Sequence, residues 1–526
     1  MANNLNTPKI PLVVHIGFSG SRQLFVDSNN QIEFLGQLES CLRDALQTIP
    51  DKFKLNNNFL CGASQLAVGA DTLFTKVCQE TNIPQRVFLP QHFDEFLNAV
   101  GSRGSDFSGP EKEQAIQLSQ SDHIIEQCVV SSSNDRTSRF EQTNLEILKT
   151  SDVVVCLLRK DATESLAGTV GMLERAKRRK VPVLEMRVSI QDGIATTENS
   201  WHNTEHFQTP TLPSQFDNLE VVPFDSYDGL PEPAEYCTPL KEFASAEAAW
   251  YSKWFHRAAI IIILTHVAAT IVATIGLLAH SSDHGHHEGG HGYAFPIIEL
   301  ALLLVGLGFH FYLHWRHIGK SWAYVRLIAE TNRSVSAVSK VRCGLEYLFR
   351  LPLPSELKSV FRTINVIQLN ATKAVADEDW ETCRNDYLKK RIDNQLAFYD
   401  KRYRKAEMWR KFSGLMFTCF SIASVLIIFS NILANGMREN IPTWVAGLGI
   451  IFPVIAVAAM SLSAAADLEA RSETFRSTAS YLRAQRPKFE EAMSMNELSQ
   501  LVLETEERLL GETANWFSRR SYLGVA

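Results

Sequence analysis

Three short glycine-containing stretches carry most of the chemistry that can be read from this chain. The first is Gly17, Phe18, Ser19, Gly20, Ser21 and Arg22. The second joins Gly62 and Ala63 to Gly69, Ala70 and Asp71. The third is Gly168, Thr169, Val170 and Gly171. Glycine lets backbone N–H groups approach a phosphate, and a helix N-terminus adds partial positive charge. Arg22 supplies a fork that can hold a phosphate with two parallel hydrogen bonds. Asp71 has two readings: it meets the ligand, or it braces its own turn. Arg139 and Glu141 precede the fourth strand, and either line the same pocket or sit on a solvated helix face. One such turn alone is only a turn. Three in order, each after a strand, point to a phosphate-bearing ligand.

The elements that must position these residues follow from pattern. Apolar runs at 11–18, 59–61, 86–89, 152–158 and 181–186 read as strands, with helical stretches between them. Strands alternating with helices predict an α/β fold with a doubly wound parallel sheet. Continuous apolar strands fit burial on both faces. All three glycine turns then fall at the carboxyl edge of the sheet, where open α/β folds bind ligands.

With these motifs on the page (G-F-S-G-S-R, C-G-A-S-Q-L-A-V-G-A-D, then S-D-V-V-V-C-L-L followed by A-G-T-V-G-M-L-E-R-A), residues 10–190 resemble the SLOG superfamily. That group includes the LOG phosphoribohydrolases, DprA-like proteins and sensor domains of TRPM channels and of some bacterial antiviral effectors. The resemblance implies a Rossmann-like sensor over residues 1–205. It implies a nucleotide-derived ligand, such as a cyclic oligonucleotide or an ADP-ribose derivative, with no other cofactor. LOG-type hydrolases resemble one another in a P-G-G-x-G-T-x-x-E turn whose glutamate acts on the N-glycosidic bond. Here Ala167 replaces the first glycine, and Glu174 comes too late, on the helix. The departure favours binding without turnover, and no catalytic or metal-ligating residue is assigned. A membrane-tethered N-glycosidic hydrolase using Glu174 is the alternative.

The chain has 526 residues and a net charge of −6, so bulk charge gives no reason to expect a nucleic-acid polymer as partner. Nine scattered cysteines without a C-x-x-C pair read as reduced structural thiols. The start MANNLNTPKI lacks the pattern of a signal peptide. Residues 206–245 are proline-rich, and are either a stiff spacer or an ordered strap on the front domain.

Four apolar runs follow, at about 258–279, 294–313, 412–433 and 444–465, each long enough to cross a bilayer. Lys and Arg flank the outer ends of each pair and are nearly absent from the hairpin loops, which predicts both termini in the cytoplasm. The two hairpins look duplicated, over 246–395 and 396–526. An aromatic-basic approach precedes each (residues 249–257 and 397–405), and E-T-x-R-S follows each, at Glu330–Ser334 and Glu473–Ser477. This organisation is similar to SLATT domains, two-helix membrane units found beside SLOG proteins in bacterial conflict systems.

That resemblance implies an inner-membrane effector of antiviral defence, forming a pore as a homo-oligomer once the nucleotide signal is bound. A nucleotide-regulated ion channel is a further alternative. Glu299 in span two could form a selectivity ring or snorkel to the interface. His266 and His310 lie at different depths, and Pro453 could kink span four. The loop with His280, His284, His286, His287 and His291 reads as a mobile pH-sensitive loop or a metal-binding segment.

Overall fold

The computed structural model describes residues 10–22, 24, 31–55, 58–101, 104–105, 107, 109–160, 168–191, 194–217, 219, 230–282, 294–339, 341, 345, 353–374, 380–437 and 442–522. The chain divides into two compact units. The front unit takes residues 1–236 and 346–376, and the second takes 237–345 and 377–526.

Among the described residues the front unit has nine strands: β1 (Leu12–Gly20), β2 (Asn58–Ser64), β3 (Gln85–Leu89), β4 (Val100–Gly101), β5 (Gly104–Ser105), β6 (Ile124–Val129), β7 (Val153–Arg159), β8 (Val183–Gln191) and β9 (Ile194–His202). Seven of them form one sheet in the order β6-β3-β2-β1-β7-β8-β9, and β4 pairs only with β5. All pairings in the large sheet are parallel except β8 with β9. The front helices are α1 (Gln31–Phe53), α2 (Ala70–Glu80), α3 (Phe93–Leu97), α4 (Gly109–Ser119), α5 (Arg136–Thr150) and α6 (Thr169–Arg178).

The period-2 geometry of β7 shows the two covered faces. Val153, Val155 and Leu157 join the core with α1 and α2, while Val154, Cys156 and Leu158 join the core with α5 and α6. The sheet is therefore mostly parallel and doubly wound, as the apolar runs predict. Two strands go beyond that reading. β6 carries Glu126 and Gln127 and is half exposed, and β9 (IATTENSWH) is mostly polar. Both are edge strands, where one flank faces solvent and the apolar signal fades.

The proline-rich stretch is an ordered strap where it is described. Phe207 packs on Phe53 with ring centroids 4.3 Å apart, Phe216 is buried, and the Tyr236 hydroxyl donates to Pro11 O at 2.9 Å. Residues 161–167, which include Ala167, and 220–229 lie outside the described residues.

The chain leaves the front unit through α7 (Pro233–Ser282) and comes back to it after the first hairpin. Within the stretch drawn from sequence as the first hairpin with its helices, residues 346–376 belong with the front unit. The returning helix, which we number α10 (Ser355–Ala374), lies on β1 and β6. Val13 N–H donates to Thr363 Oγ1 at 2.9 Å, and Arg362 Nη1 meets Asp152 Oδ1 at 2.6 Å. His15 N–H donates to Asp152 Oδ2 at 2.9 Å. Burial works to raise the Asp152 carboxyl, but His15 and the Arg362 guanidinium win and hold it below the usual carboxylate range. Asp152→Ala removes the charge partner and the His15 acceptor together. The expected cost is about 1–3 kcal/mol, read as a lower melting temperature and faster amide exchange confined to residues 355–374.

The second unit is helical: most of α7, then α8 (Ala294–Trp315), α9 (Ile318–Val338), α11 (Trp380–Tyr387), a π-helical turn at Leu388–Asp393, α12 (Asn394–Met437), α13 (Thr443–Ala465), α14 (Leu468–Glu491) and α15 (Met495–Tyr522). Among the described residues four helices are long and apolar enough to cross a membrane, and only 6–17% of each apolar window is buried. Such faces are built for lipid or for other copies of the chain. α7 runs 50 residues without a break, about 75 Å at 1.5 Å per residue.

Small residues set the helix contacts. A Cβ at Gly306 would stand 2.7 Å from Thr265 Oγ1, and one at Gly447 would stand 2.5 Å from Leu278 Cδ1. The Ser424 hydroxyl donates to Gly449 O at 3.3 Å. Span one thus lies between spans two and four, and span three packs on four.

The duplication has a backbone signature. His317 after α8 and Asp467 after α13 are both left-handed, with φ of 46° and 54°. Aligned on these residues, Arg326 matches Arg476 and Ala329 matches Ala479. The two E-T-x-R-S motifs then sit at different heights, because Glu330 lies 13 residues past its left-handed residue and Glu473 only 6 past its own.

Candidate functional site

The cleft of interest opens at the carboxyl edge of the front sheet and has a volume of about 380 Å3. The end of β1 forms one wall: Ser21 N–H donates to Leu157 O at 2.9 Å, which fixes Ser19, Gly20, Ser21 and Arg22 along the rim. Three helices present their N-terminal residues: Asp71 from α2, Arg136 and Thr137 from α5, and Gly168, Thr169 and Val170 at α6. The helix dipoles there favour an anion, although at α2 the Ala70 and Thr72 N–H groups already donate to Ser21 O and Ala67 O.

Close packing explains two of the glycines. Gly69 has φ +94°, and a Cβ there would stand 2.4 Å from Arg22 O; a Cβ at Gly20 would stand 2.1 Å from the Ala70 Cβ. The first and second motifs are therefore pressed together, backbone on backbone. Gly69→Ala must shift the Arg22 carbonyl or leave the left-handed region. The expected result is a loss of about 1–3 kcal/mol in the front unit, seen in its melting temperature, with any ligand stabilisation at the cleft lost as well.

Asp71 is buried at 5% exposure and accepts from Gly20 N–H at 3.2 Å. Burial pushes its carboxyl up to about 7, against the opposing pull of that N–H and of Arg22. It braces the turn and also lines the cleft, so both sequence readings of this residue stay in play. Arg22 lies 4.5 Å and Arg136 5.5 Å from the centre of the Phe140 ring. Two guanidiniums thus share one aromatic side chain beside the helix N-termini. Gln65 Nε2 donates to Asn144 Oδ1 at 2.9 Å, with both residues buried, and this pair forms part of the wall.

Eight of the residues named from sequence line this cleft: Ser19, Gly20, Ser21, Arg22, Asp71, Gly168, Thr169 and Val170. The others support it. Phe18 stacks on Phe74 with ring centroids 4.4 Å apart, and Gly17 lies against Ser151. Gly62 packs on Phe74 and Cys78, while Ala63, Ala70 and Gly171 are buried. Gly69 makes the turn described above.

Arg139, Glu141 and Glu174 do not line the cleft. Arg139 bonds Gln91, Glu141 pairs with Arg175, and Glu174 is half exposed with Lys177 3.8 Å away. The physical reason is helical pitch: Arg136 and Phe140 lie four apart on the α5 face turned to the cleft, and residues 139 and 141 point elsewhere. Arg136, Phe140, Gln65 and Asn144 went unread. The signal that could have found them is Asp135, whose carboxylate accepts from Ser138 N–H and starts α5 at the cleft.

In the second unit Glu299 lies within α8, and among the described residues no hydrogen bond or ion pair holds it. His266 Nδ1 is 2.7 Å from Ile262 O on its own helix. His284, His286, His287 and His291 lie outside the described residues. The cytosol-type thiol reading meets buried free thiols at Cys61, Cys78, Cys156 and Cys237.

Outside the spans, a buried polar knot joins four elements. Arg391, on the π-helical turn, meets Glu506 of α15 at 2.6 and 2.7 Å. The Tyr387 hydroxyl donates to Glu506 at 2.8 Å, and Arg391 reaches Ser334 of α9 at 3.2 Å. Ser334 is the last residue of the first E-T-x-R-S, so in that half the motif serves packing.

No curated protein matches the chain. Residues 387–516 match the family described as SMODS and SLOG-associating 2TM effector domain 1. The match covers spans three and four with α14 and most of α15, the second of the two repeats. Taken with the four apolar helices, it means that this chain fits a SLATT-like transmembrane effector.

Proposed function

We propose that the front unit binds a nucleotide-derived signal in the cleft, and that binding gates or assembles a membrane-disrupting pore from the helical unit. The carrying observation is the convergence of three helix N-termini on Arg22 and Arg136, which is a phosphate-binding arrangement. The family description at residues 387–516 supports the effector role, and its SLOG association agrees with the front-unit motifs. The signal is a cyclic oligonucleotide or an ADP-ribose derivative, the assembly a homo-oligomer in the bacterial inner membrane with both termini cytoplasmic, and the setting antiviral defence. Glu299, an intramembrane carboxylate, lines the pore in this reading. Ligand acts by binding one state better than the other.

One observation favours a second reading. Asp71 lines the cleft with its carboxyl pushed up to about 7, the range of a general acid–base group. That suits a hydrolase of the N-glycosidic bond better than Glu174 does.

The test is a titration of the full chain in detergent with nucleotides and cyclic nucleotides, following thermal shift and the mass of each compound. Stabilisation with the compound intact, then ligand-dependent dye leakage from liposomes, is the expected result. A compound consumed, with turnover lost in Asp71→Asn, would overturn the sensor reading. Ligand stabilisation without leakage at any protein density would remove the pore.

A further inference from the structure

The two hairpins are repeats, and one difference between them leaves a hollow. Five residues past each left-handed residue, the first half has Trp322 and the second has Ser472. Trp322 fills its corner: its ring lies 5.0 Å from Trp516 and 5.9 Å from Phe255, with the Arg520 guanidinium 5.2 Å over it. Ser472 fills little, and its hydroxyl donates to Glu407 at 2.9 Å. What remains is a cavity of about 690 Å3 between the approach to span three, the end of span four and the first turns of α14.

The floor and rim of this cavity differ in chemistry. Met460 and Ala464 make the floor, in the last two turns of a membrane-crossing helix. The rim is charged and stands where the helices leave the hydrocarbon. Glu407 is already held by Arg410, Lys411 and Ser472. Arg476 and Glu473 line the cavity too, and among the described residues neither has a hydrogen bond or ion pair. Asp467 and Glu469 line it as well, so the Arg476 guanidinium and several carboxylates face a space whose base is apolar. Among the described residues no group of three metal-binding side chains comes together, so a metal ion is a poor occupant.

We propose that this cavity binds a phospholipid whose headgroup carries both a phosphate and a primary ammonium. Arg476 holds the phosphate, Glu473 and Glu469 accept from the ammonium, and the acyl chain lies on Met460 and Ala464. An ammonium has three N–H donors for those carboxylates, and a quaternary ammonium has none. A purely anionic headgroup would leave Glu473 facing like charge. The position at the membrane boundary selects a lipid over a soluble phosphate ester.

The full chain, purified in mild detergent, is mixed with equimolar phosphatidylethanolamine, phosphatidylcholine and phosphatidylglycerol, and retained lipid is counted by native mass spectrometry. The expected result is enrichment of phosphatidylethanolamine by roughly threefold or more over each of the others. Glu473→Gln with Arg476→Gln abolishes it, and Lys488→Gln, on the same helix away from the cavity, does not. Both lining residues are exposed, so an unchanged melting temperature shows the double variant is folded. Retained lipid that mirrors the mixture, a preference for phosphatidylglycerol, or enrichment that survives the double substitution overturns the proposal. Displacement by soluble glycerophosphoethanolamine at lipid-like concentration overturns the lipid assignment.

Discussion

Glu506→Gln is expected to destabilise the helical unit by about 3–5 kcal/mol, because it leaves Arg391 charged and buried without its partner. Arg391 is 6% exposed and Glu506 is fully buried. Three donors converge on the carboxylate: two from Arg391 and the Tyr387 hydroxyl. Glutamine keeps the shape but not the charge, and its amide nitrogen can only donate where the guanidinium and phenol also donate. The Arg391 Nη1 already lacks a hydrogen-bond partner, and outside Glu506 the guanidinium keeps only the uncharged Ser334 hydroxyl among the described residues. Replacing both members, Arg391→Met with Glu506→Leu, should recover most of the loss, since a well-packed apolar pair is commonly as stable as the ion pair it replaces. Thermal unfolding of the detergent-solubilised chain measures both. A Glu506→Gln variant that melts with the parent would mean the pair contributes nothing to this packing. The π-helical turn at Leu388–Asp393 places Arg391 there, and such turns are frequent at functional sites. If the pair is a switch rather than a brace, the double variant will be stable and inactive.

Raising the pH from 4 to 7 is expected to weaken the front unit through Asp71. Its folded carboxyl is pushed by burial up to about 7, above the ordinary 3.8. Within that window the folded state holds a proton that the unfolded state has released. Stability therefore falls as pH rises, by up to about 1.4 kcal/mol per unit for this one group. Asp71→Asn removes the slope: asparagine cannot ionise, and its Oδ1 can still accept from Gly20 N–H. The signature is the difference between parent and variant melting temperatures of the full chain, near zero below pH 4 and growing to pH 7. Asp152 works in the opposite sense. Its lowered carboxyl adds stability above the unfolded value that is lost as acid protonates it, which is why the difference and not the raw curve is informative. A parent and variant that run parallel from pH 4 to 7 would show Asp71 ionised throughout.

How far the sequence could be read depended on how local the information was. The sheet edge that carries the cleft was legible because the glycine motifs are local and each follows an apolar strand. Arg136 and Phe140 were not, since nothing in RTSRFEQTN says which face of α5 will meet the cleft. The choice between Arg136 and Arg139 is one of helical phase, set by Ile147 and Leu148, which bury the same face that carries Phe140 and Asn144 further along α5. Likewise β9 reads as polar loop because its pairing with β8 is long-range and one flank is solvent. The four spans were the most legible, as apolar length alone decides them. The placement of α10 was invisible: its apolar stripe at Leu357, Val360, Phe361 and Ile364 fits any partner, and only Thr363 and Arg362 tie it to β1 and Asp152.

That returning helix fixes an order of events during biosynthesis. A ribosome must synthesise the front sheet, then both spans of the first hairpin, before residues 355–374 emerge to complete the front unit. Until then the Val13 amide and the Asp152 carboxylate wait without the partners that α10 brings. A polypeptide ending near residue 205 lacks this helix altogether and should be less stable than the front unit in the whole chain. Completion of the front unit is in this way made conditional on prior translation of the first apolar hairpin, a safeguard against a finished front unit with no apolar helices behind it.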